Sequence, residues 1–129
     1  MIRLFKTSKN PVLFGTDSFW EGVDVQGDQL KMVIITKLPF KVPSDPVTEA
    51  IIENIKKNGK NAFTEYQVPQ AVIKFKQGIG RLIRSKTDTG SIIILDNRVI
   101  KKRYGQNFLK VLPKNIVIDN RKEIIKIMK

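Results

Sequence analysis

The spacing of apolar and polar residues predicts a mixed α/β chain. Three apolar runs, at residues 11–15, 31–38 and 91–95, show no regular polar alternation and are predicted to be strands. Strands of this kind are typical of a parallel sheet that is covered by helices on both faces. Since helical patterns separate the second and third strands, the order of elements predicts an open α/β sheet.

Two amphipathic helices are predicted between the second and third strands. The first begins at the N-cap Asp45, has Pro46 at its first position and ends at residues 58–59. Its predicted apolar face consists of Val47, Ala50, Ile51 and Ile55. The second spans residues 67–84. Its predicted apolar stripe consists of Val68, Ala71, Val72, Phe75, Ile79, Leu82 and Ile83.

A further helix is predicted to begin near Asn120, because its spacing to Glu123 fits a capping box. Three strands form a small sheet compared with the sheets of most α/β domains. We therefore expect residues 1–129 to form an incomplete domain, which is one part of a larger domain.

The charge of the chain is strongly positive and unevenly distributed. There are 24 Lys and Arg against 12 Asp and Glu, a formal net charge of +12, and residues 98–129 hold ten basic and two acidic side chains. Such a charge predicts a polyanionic partner such as nucleic acid. The basic residues of 98–129 either line a DNA path or keep the surface soluble. A hydrophobic fraction of 41% excludes a disordered basic tail.

Missing residue types exclude several kinds of chemistry. The sequence has no Cys and no His, which rules out disulfides, thiolate metal sites, a cysteine nucleophile and an imidazole base. It has no complete P-loop motif and no run of acidic residues after a strand, so no metal site is predicted. Its apolar runs are far shorter than the roughly 18 residues of a membrane span, so we expect no membrane partner and a cytoplasmic location.

The second predicted helix has the clearest candidate for phosphate binding. Gln77, Arg81 and Arg84 stand at i, i+4 and i+7, which predicts one polar stripe opposite the apolar stripe. Guanidinium groups bind phosphate oxygens through paired donors. The alternative is a solvated basic face. Residues 78–80, Gly-Ile-Gly, lack the third glycine and the preceding strand of a dinucleotide fingerprint, and instead predict a close approach to the helix.

The loop after the first predicted strand is a second candidate site. Ligands of open α/β sheets bind at the carboxyl ends of the strands, and residues 15–27 follow such an end. Thr16 and Ser18 are potential donors to phosphates, and Asp24 is a potential acceptor from a ribose hydroxyl or a potential neighbour of a metal ion. The alternative is a role of these residues in turns and caps.

Two of these segments resemble the DinG/XPD helicases of superfamily two. Residues 16–24, with the sequence TDSFWEGVD, resemble motif V, and residues 77–84, with the sequence QGIGRLIR, match the Q-x-x-G-R-x-x-R pattern of motif VI. Shorter likenesses to the DinG branch follow in the same order, and together they cover roughly residues 5 to 115.

The resemblance implies that residues 1–129 are the carboxy-terminal part of a second RecA-like, P-loop NTPase-type motor domain of a DNA helicase. ATP and Mg²⁺ would be held mainly by the first motor domain, which we expect to be missing from this chain. The implied roles, by motif position, are arginine fingers for Arg81 and Arg84, a γ-phosphate sensor for Gln77, nucleotide contacts for Gly22, Asp24 and Gly80, and DNA-backbone contacts for Thr16 and Ser18.

The expected partners are single-stranded DNA, the first RecA-like domain of the same parent protein and, through exposed apolar surface, further copies of this chain. We expect the chain alone not to hydrolyse ATP, and the parent helicase to act in DNA repair or replication. Two alternatives stay open: a non-enzymatic basic nucleic-acid-binding module derived from a motor fold, or part of a DinG-type exonuclease.

Overall fold

The computed structural model of the protein describes residues 2–16, 30–82 and 90–113, which form a mixture of helices and two strands. In chain order the elements are α1 (Ile2–Thr7), β1 (Met32–Ile35), α2 (Pro46–Lys57), a π-helical segment (Phe63–Gln67) that continues into α3 (Val68–Ile79), β2 (Ser91–Ile94), α4 (Arg98–Lys101) and α5 (Gly105–Leu109).

The two strands pair in parallel, as their apolar pattern predicts. Met32 lies opposite Ser91 and Ile35 lies opposite Ile94. The pairing extends by one hydrogen bond at each end, because the Ser91 N–H donates to the Lys31 carbonyl and the Leu95 N–H donates to the Ile35 carbonyl, both at 2.9 Å. β1 is shorter than the predicted strand at residues 31–38.

The predicted strand at residues 11–15 is wrong, because residues 11–16 have no regular secondary structure. Val12 and Phe14 keep 76% and 88% of their surface exposed. An apolar run forms a strand only where a neighbouring strand supplies hydrogen-bond partners, and within the described residues β1 and β2 pair with each other. The described sheet is therefore a small parallel sheet of two strands.

The sheet is packed unequally on its two faces. Val33, Ile92 and Ile94 pack against the buried core, whereas Ile34, which points to the other face, is 54% exposed. The sequence predicts helices on both faces of the sheet. Within the described part of the chain, helices cover the face of Val33, Ile92 and Ile94, and the face of Ile34 is partly exposed.

α2 begins and ends where the sequence predicts. The Asp45 carboxylate accepts a hydrogen bond of 2.8 Å from the Thr48 N–H and caps the amino end. At the carboxyl end Gly59 has φ of +72°, and the Gly59 and Lys60 N–H groups donate to the carbonyls of Lys56 and Ile55. This pair of bonds is a Schellman motif, which requires a left-handed residue that glycine supplies without strain.

The predicted apolar face of α2 is only partly buried. Ile51 and Ile55 are half-buried, but Val47 and Ala50 are exposed, and the helix has no fully buried residue. α2 therefore lies at the surface of the described structure.

α3 is the central helix of the core, and its helical run starts earlier and stops earlier than predicted. The run begins after Asn61, whose side-chain oxygen accepts from the N–H groups of Phe63 and Thr64. Pro69 has no N–H and therefore cannot donate a hydrogen bond to a carbonyl of the preceding turn. That turn is widened into the π-helical segment. The helix ends at Ile79 and not at residue 84.

The core is formed by residues from the sheet, from α3 and from the last two helices. Its buried members are Ile35, Leu38, Ala71, Phe75, Ile79, Val99 and Phe108. From the predicted α3 stripe, Val68 and Leu82 are buried as well, Val72 is half-buried, and Ile83 lies outside the described residues. The helical stripe of the sequence analysis is thus confirmed for the part of α3 that the structure describes.

Three short helices, α1, α4 and α5, have no counterpart in the sequence analysis, because four to six residues are too few for a clear apolar period. α5 packs closely on α4: a Cβ at Gly105 would overlap the Val99 carbonyl. The helix predicted from Asn120 lies outside the described residues.

Candidate functional site

The candidate residues of the sequence analysis divide into two groups. Thr16, Gln77, Gly80 and Arg81 are among the described residues, and the structure brings the last three together at the carboxyl end of α3. Thr16 ends the irregular segment that follows α1, where it is exposed. Ser18, Gly22, Asp24 and Arg84 lie outside the described residues.

The end of α3 has a tight and well-defined geometry. Gly80 is the C-cap, and its N–H donates to the Lys76 carbonyl at 2.9 Å. The next two N–H groups, of Arg81 and Leu82, donate to the carbonyls of Gly78 and Ile79 at 3.3 and 2.9 Å. These shorter-range bonds tighten the last turn and use carbonyls that the helix leaves unpaired.

This geometry corrects the predicted helical stripe of Gln77, Arg81 and Arg84. Gln77 is an exposed residue of α3, but Arg81 lies in the turn beyond the helix and is half-buried. The i, i+4 relation holds only inside a continuous helix, and Gly80 ends this one. The position of Arg81 is therefore set by the turn at residues 80–82 and not by the periodicity of α3.

The glycines of this segment have different surroundings. Gly78 is buried within α3. Gly80 is exposed, and a Cβ there would lie 3.2 Å from the Lys76 carbonyl oxygen. The close approach to the helix that the sequence predicts at these glycines stays a prediction.

The opposite end of the sheet has a charged cluster for which the sequence analysis gave no role. Asp96 follows β2, is 8% exposed and accepts a hydrogen bond of 2.9 Å from the Leu38 N–H, which follows β1. The same carboxylate accepts from the Arg98 Nε at 2.9 and 3.0 Å and from a terminal nitrogen of Arg98. Asp96 therefore ties together the two chain segments that leave the sheet.

The charges of this pair stabilise each other. The hydrogen bond from the Arg98 guanidinium lowers the pKa of Asp96 far below its ordinary range, against the opposing effect of burial. The same bond is the main reason why the pKa of Arg98 is raised. An acidic and a basic residue two positions apart, directly after a strand, are the sequence signal that could have identified this pair.

Arg98 also covers a group of aromatic rings. Its guanidinium carbon lies 5.6 Å from the centroid of Phe40, a cation–π distance. Phe40 stacks on Phe63 at 5.5 Å and meets Tyr104 edge-on at 5.5 Å. Phe108, which is fully buried, lies 5.8 Å from Phe40, so the rings run from the surface into the core. We call Phe40, Phe63, Tyr104, Phe75 and Phe108 the aromatic cluster.

The chemistry available at the end of α3 is that of hydrogen-bond donors. The Gln77 amide and the Arg81 guanidinium suit phosphate oxygens, the guanidinium with a permanent positive charge. In the three described ranges no group of three or more His, Cys, Asp or Glu side chains is placed to hold a metal ion. Nor does any helix in those ranges have the length and apolar character to cross a membrane.

Comparison with known proteins places these features in a family context. The family described as the helicase C-terminal domain matches residues 1–115, which include every candidate residue named above. The ATP-dependent DNA helicase YoaA of Haemophilus influenzae is 50% identical over 113 residues, which are 88% of this chain and 18% of that protein.

Two further relatives are equally similar. The protein named 3'-5' exonuclease DinG of Bacillus subtilis is 50% identical over 113 residues, 88% of this chain and 12% of that protein. The ATP-dependent DNA helicase DinG of Photobacterium profundum is 50% identical over 108 residues, 84% of this chain and 16% of that protein. The chain spans less than a fifth of the length of these curated relatives.

Proposed function

The chain belongs to the helicase C-terminal domain family, and from that premise we propose that it is the carboxy-terminal part of the second RecA-like motor domain of an ATP-dependent DNA helicase of the DinG type. The observation that carries the proposal is the Q-x-x-G-R segment, whose arginine occupies the tight turn that closes α3. Identities of about half to relatives named as helicases support it.

In this proposal the chain provides one wall of an ATP site between two motor domains. Arg81 neutralises the negative charge that develops on the transferred phosphoryl group, Arg84 adds a second guanidinium, and the Gln77 amide binds the γ-phosphate. Gly22, Asp24 and Gly80 contact the nucleotide. These donors fit the phosphate chain of ATP, whereas Mg²⁺ requires oxygen ligands. The carboxylates for Mg²⁺ are therefore proposed to come from the first motor domain, and this chain alone is inactive.

Single-stranded DNA is the proposed second ligand of the parent helicase, which acts in repair or replication. Thr16 and Ser18 contact its backbone, and the net charge of +12 favours a polyanion. The proposed protein partner is the first motor domain. Val12 and Phe14, which are 76% and 88% exposed, offer apolar surface for such a contact or for self-association.

The test is the substitution Arg81→Ala in the longer helicase. We expect ATP turnover to fall by about 10³-fold, because a finger arginine acts mainly in the transition state. Affinity for single-stranded DNA should stay within about twofold of the unchanged protein, since a transition-state contact adds little to ground-state binding. Turnover is measured by phosphate release and DNA affinity by fluorescence anisotropy.

Arg3→Ala is the matched control, because it removes the same side chain from an exposed position in α1. This control should leave turnover unchanged. Equal losses of turnover and of DNA affinity in Arg81→Ala would contradict the finger role. Unchanged turnover would remove Arg81 from the proposed site altogether.

A second candidate function comes from the Bacillus subtilis relative, which is named a 3'-5' exonuclease. The longer protein would then degrade DNA from a 3' end. The experiment is a gel assay with 3'-labelled single-stranded DNA and Mg²⁺. Release of the labelled 3' nucleotide would support the exonuclease, and intact labelled DNA in a preparation that hydrolyses ATP would contradict it.

The non-enzymatic alternative is a basic module that only binds nucleic acid. It predicts that the logarithm of the affinity for single strands falls by about 0.7 per tenfold increase in salt concentration for each neutralised phosphate. It also predicts no ATP turnover in the longer protein. DNA-stimulated ATP hydrolysis by the longer protein would exclude this alternative.

A further inference from the structure

We propose that Gly90 is a positioning residue for Arg81: the absence of a side chain at Gly90 makes room for Leu82, and Leu82 fixes the turn that presents Arg81. The inference rests on the proposed function, because it concerns the arginine that we assign to the ATP site. It adds a residue that contacts neither nucleotide nor DNA in that proposal.

The first step links Arg81 to Leu82. Leu82 is 4% exposed, and its N–H donates to the Ile79 carbonyl at 2.9 Å. A residue with a buried side chain and a bonded backbone leaves its neighbour little freedom. Arg81 is therefore held between the C-cap Gly80 on one side and the anchored Leu82 on the other.

The second step links Leu82 to Gly90. A Cβ at Gly90 would lie 2.6 Å from Cδ1, 2.8 Å from Cγ and 2.9 Å from Cδ2 of Leu82. All three distances are shorter than a carbon–carbon contact allows. A side chain at Gly90 must therefore displace Leu82, which has little room to move because it is buried.

The third step links Gly90 to the sheet. The next residue, Ser91, begins β2, and its N–H donates to the Lys31 carbonyl at 2.9 Å, one residue before β1. Gly90 thus borders the paired strands. Through Leu82, the turn that contains Arg81 is held against the sheet as well as against α3. A group that acts in the transition state must be held in one position in this way.

The test is Gly90→Ala in the longer helicase. We expect kcat for ATP to fall by about 10- to 100-fold, because a displacement of a catalytic group by about 1 Å has an effect of that size. KM for ATP and the Kd for single-stranded DNA should change by less than about twofold, because the displaced group acts in the transition state.

The decisive comparison uses the Arg81→Ala background. If Gly90 acts through Arg81, adding Gly90→Ala to Arg81→Ala should lower kcat no further. An additional loss of the same size in that background would overturn the positioning role while leaving the proposed function intact. An Arg81→Ala protein with normal turnover would instead contradict the proposed function itself.

Gly59→Ala is the matched control for a general loss of stability. Gly59 has φ of +72°, so alanine is strained there, but no atom lies within 4 Å of its added Cβ. We expect a lower Tm for Gly59→Ala with unchanged kcat. A kcat that falls in proportion to Tm in both glycine variants would also overturn the proposal.

A measurement on the present chain avoids any dependence on turnover. The amides of Arg81 and Leu82 donate the bonds that close the turn, and Gly90→Ala should increase their hydrogen–deuterium exchange while the amides of α2 exchange at the same rate. Unchanged exchange at both amides would show that Leu82 does not transmit the substitution, and would overturn the proposal.

Discussion

The two ends of the small sheet are held by different kinds of interaction. At the carboxyl end, Asp96 and Arg98 form a charged pair that also binds the Leu38 N–H and covers Phe40. At the amino end, Leu82, which follows Arg81 in the turn, occupies the space that a Cβ at Gly90 would need. The difference teaches that a charged residue next to a strand can serve the fold, and that the arginine proposed for chemistry lies where apolar packing, in our proposal, sets its position.

The largest expected effect comes from a ring of the aromatic cluster that is fully buried in the core. Phe108 is fully buried and contacts Phe40 from the carboxyl end and Phe75 from α3. Phe108→Ala should lower the free energy of unfolding by about 4 kcal/mol, because it leaves a cavity in the core. Urea unfolding followed by circular dichroism measures this loss.

Phe63→Ala is the control for Phe108→Ala, since Phe63 belongs to the same aromatic cluster but is 37% exposed. We expect a smaller loss of about 1 kcal/mol. Equal losses in the two variants would contradict the expectation that the buried ring contributes more to stability than the partly exposed one.

A smaller effect is expected at the carboxyl end. Asp96→Asn keeps the shape of the side chain but removes its charge, and should lower the free energy of unfolding by about 2 kcal/mol. The value stays modest because 40% of the Arg98 side chain is exposed, so solvent screens the pair. Thermal and urea unfolding of the two proteins give the difference.

The matched control is Asp45→Asn, the same chemical change at the N-cap of α2. Asn caps helices about as well as Asp does, so the loss should be smaller than that in Asp96→Asn and limited to the attraction between the exposed carboxylate and the amino end of α2. A loss of stability in Asp45→Asn as large as that in Asp96→Asn would contradict the distinct role of the carboxyl end.

The smallest effect concerns acid. The pKa of Asp96 is lowered from its ordinary value of 3.8, mainly by the hydrogen bond from Arg98. At a pH below 3.8, Asp96 binds a proton in the unfolded chain but not in the folded chain. The stabilisation by the Asp96 charge is therefore complete above pH 3.8 and is lost as the pH falls toward the lowered pKa of the folded state. The stability difference between the unchanged protein and Asp96→Asn should therefore shrink below about pH 4.

Urea unfolding of both proteins at several acidic pH values measures this convergence. A difference that stays constant throughout the acid range would show that the Asp96 charge does not contribute.

Several parts of the fold were predictable because their causes are local. The Asp45 cap, Pro46 and the left-handed Gly59 define the two ends of α2 within a few residues of each. The apolar stripe of α3 from Val68 to Ile79 follows from helical spacing alone. The resemblance to DinG-type helicases, which motif order indicated, is confirmed by the matching family and by relatives of about 50% identity.

Other parts depend on contacts between distant residues and were therefore missed. The run at residues 11–15 has the composition of a strand, but a strand also needs a partner. The stripe on α2 resembles that on α3 in its spacing, yet α2 has no fully buried residue. Apolar spacing identifies the inner face of a helix but not the depth to which that face is buried.

For the candidate site, the sequence by itself determined which residues have the right chemistry, namely Gln77, Gly80 and Arg81 in the Q-x-x-G-R order. Only the tertiary structure decided how Arg81 is held, since the end of α3 at Ile79 places it on a turn. Donor groups and helix caps are properties of single residues and their near neighbours. Leu82 can lie beside Gly90 only once the sheet has formed, because the hydrogen bond from the Ser91 N–H to the Lys31 carbonyl fixes the chain next to Gly90.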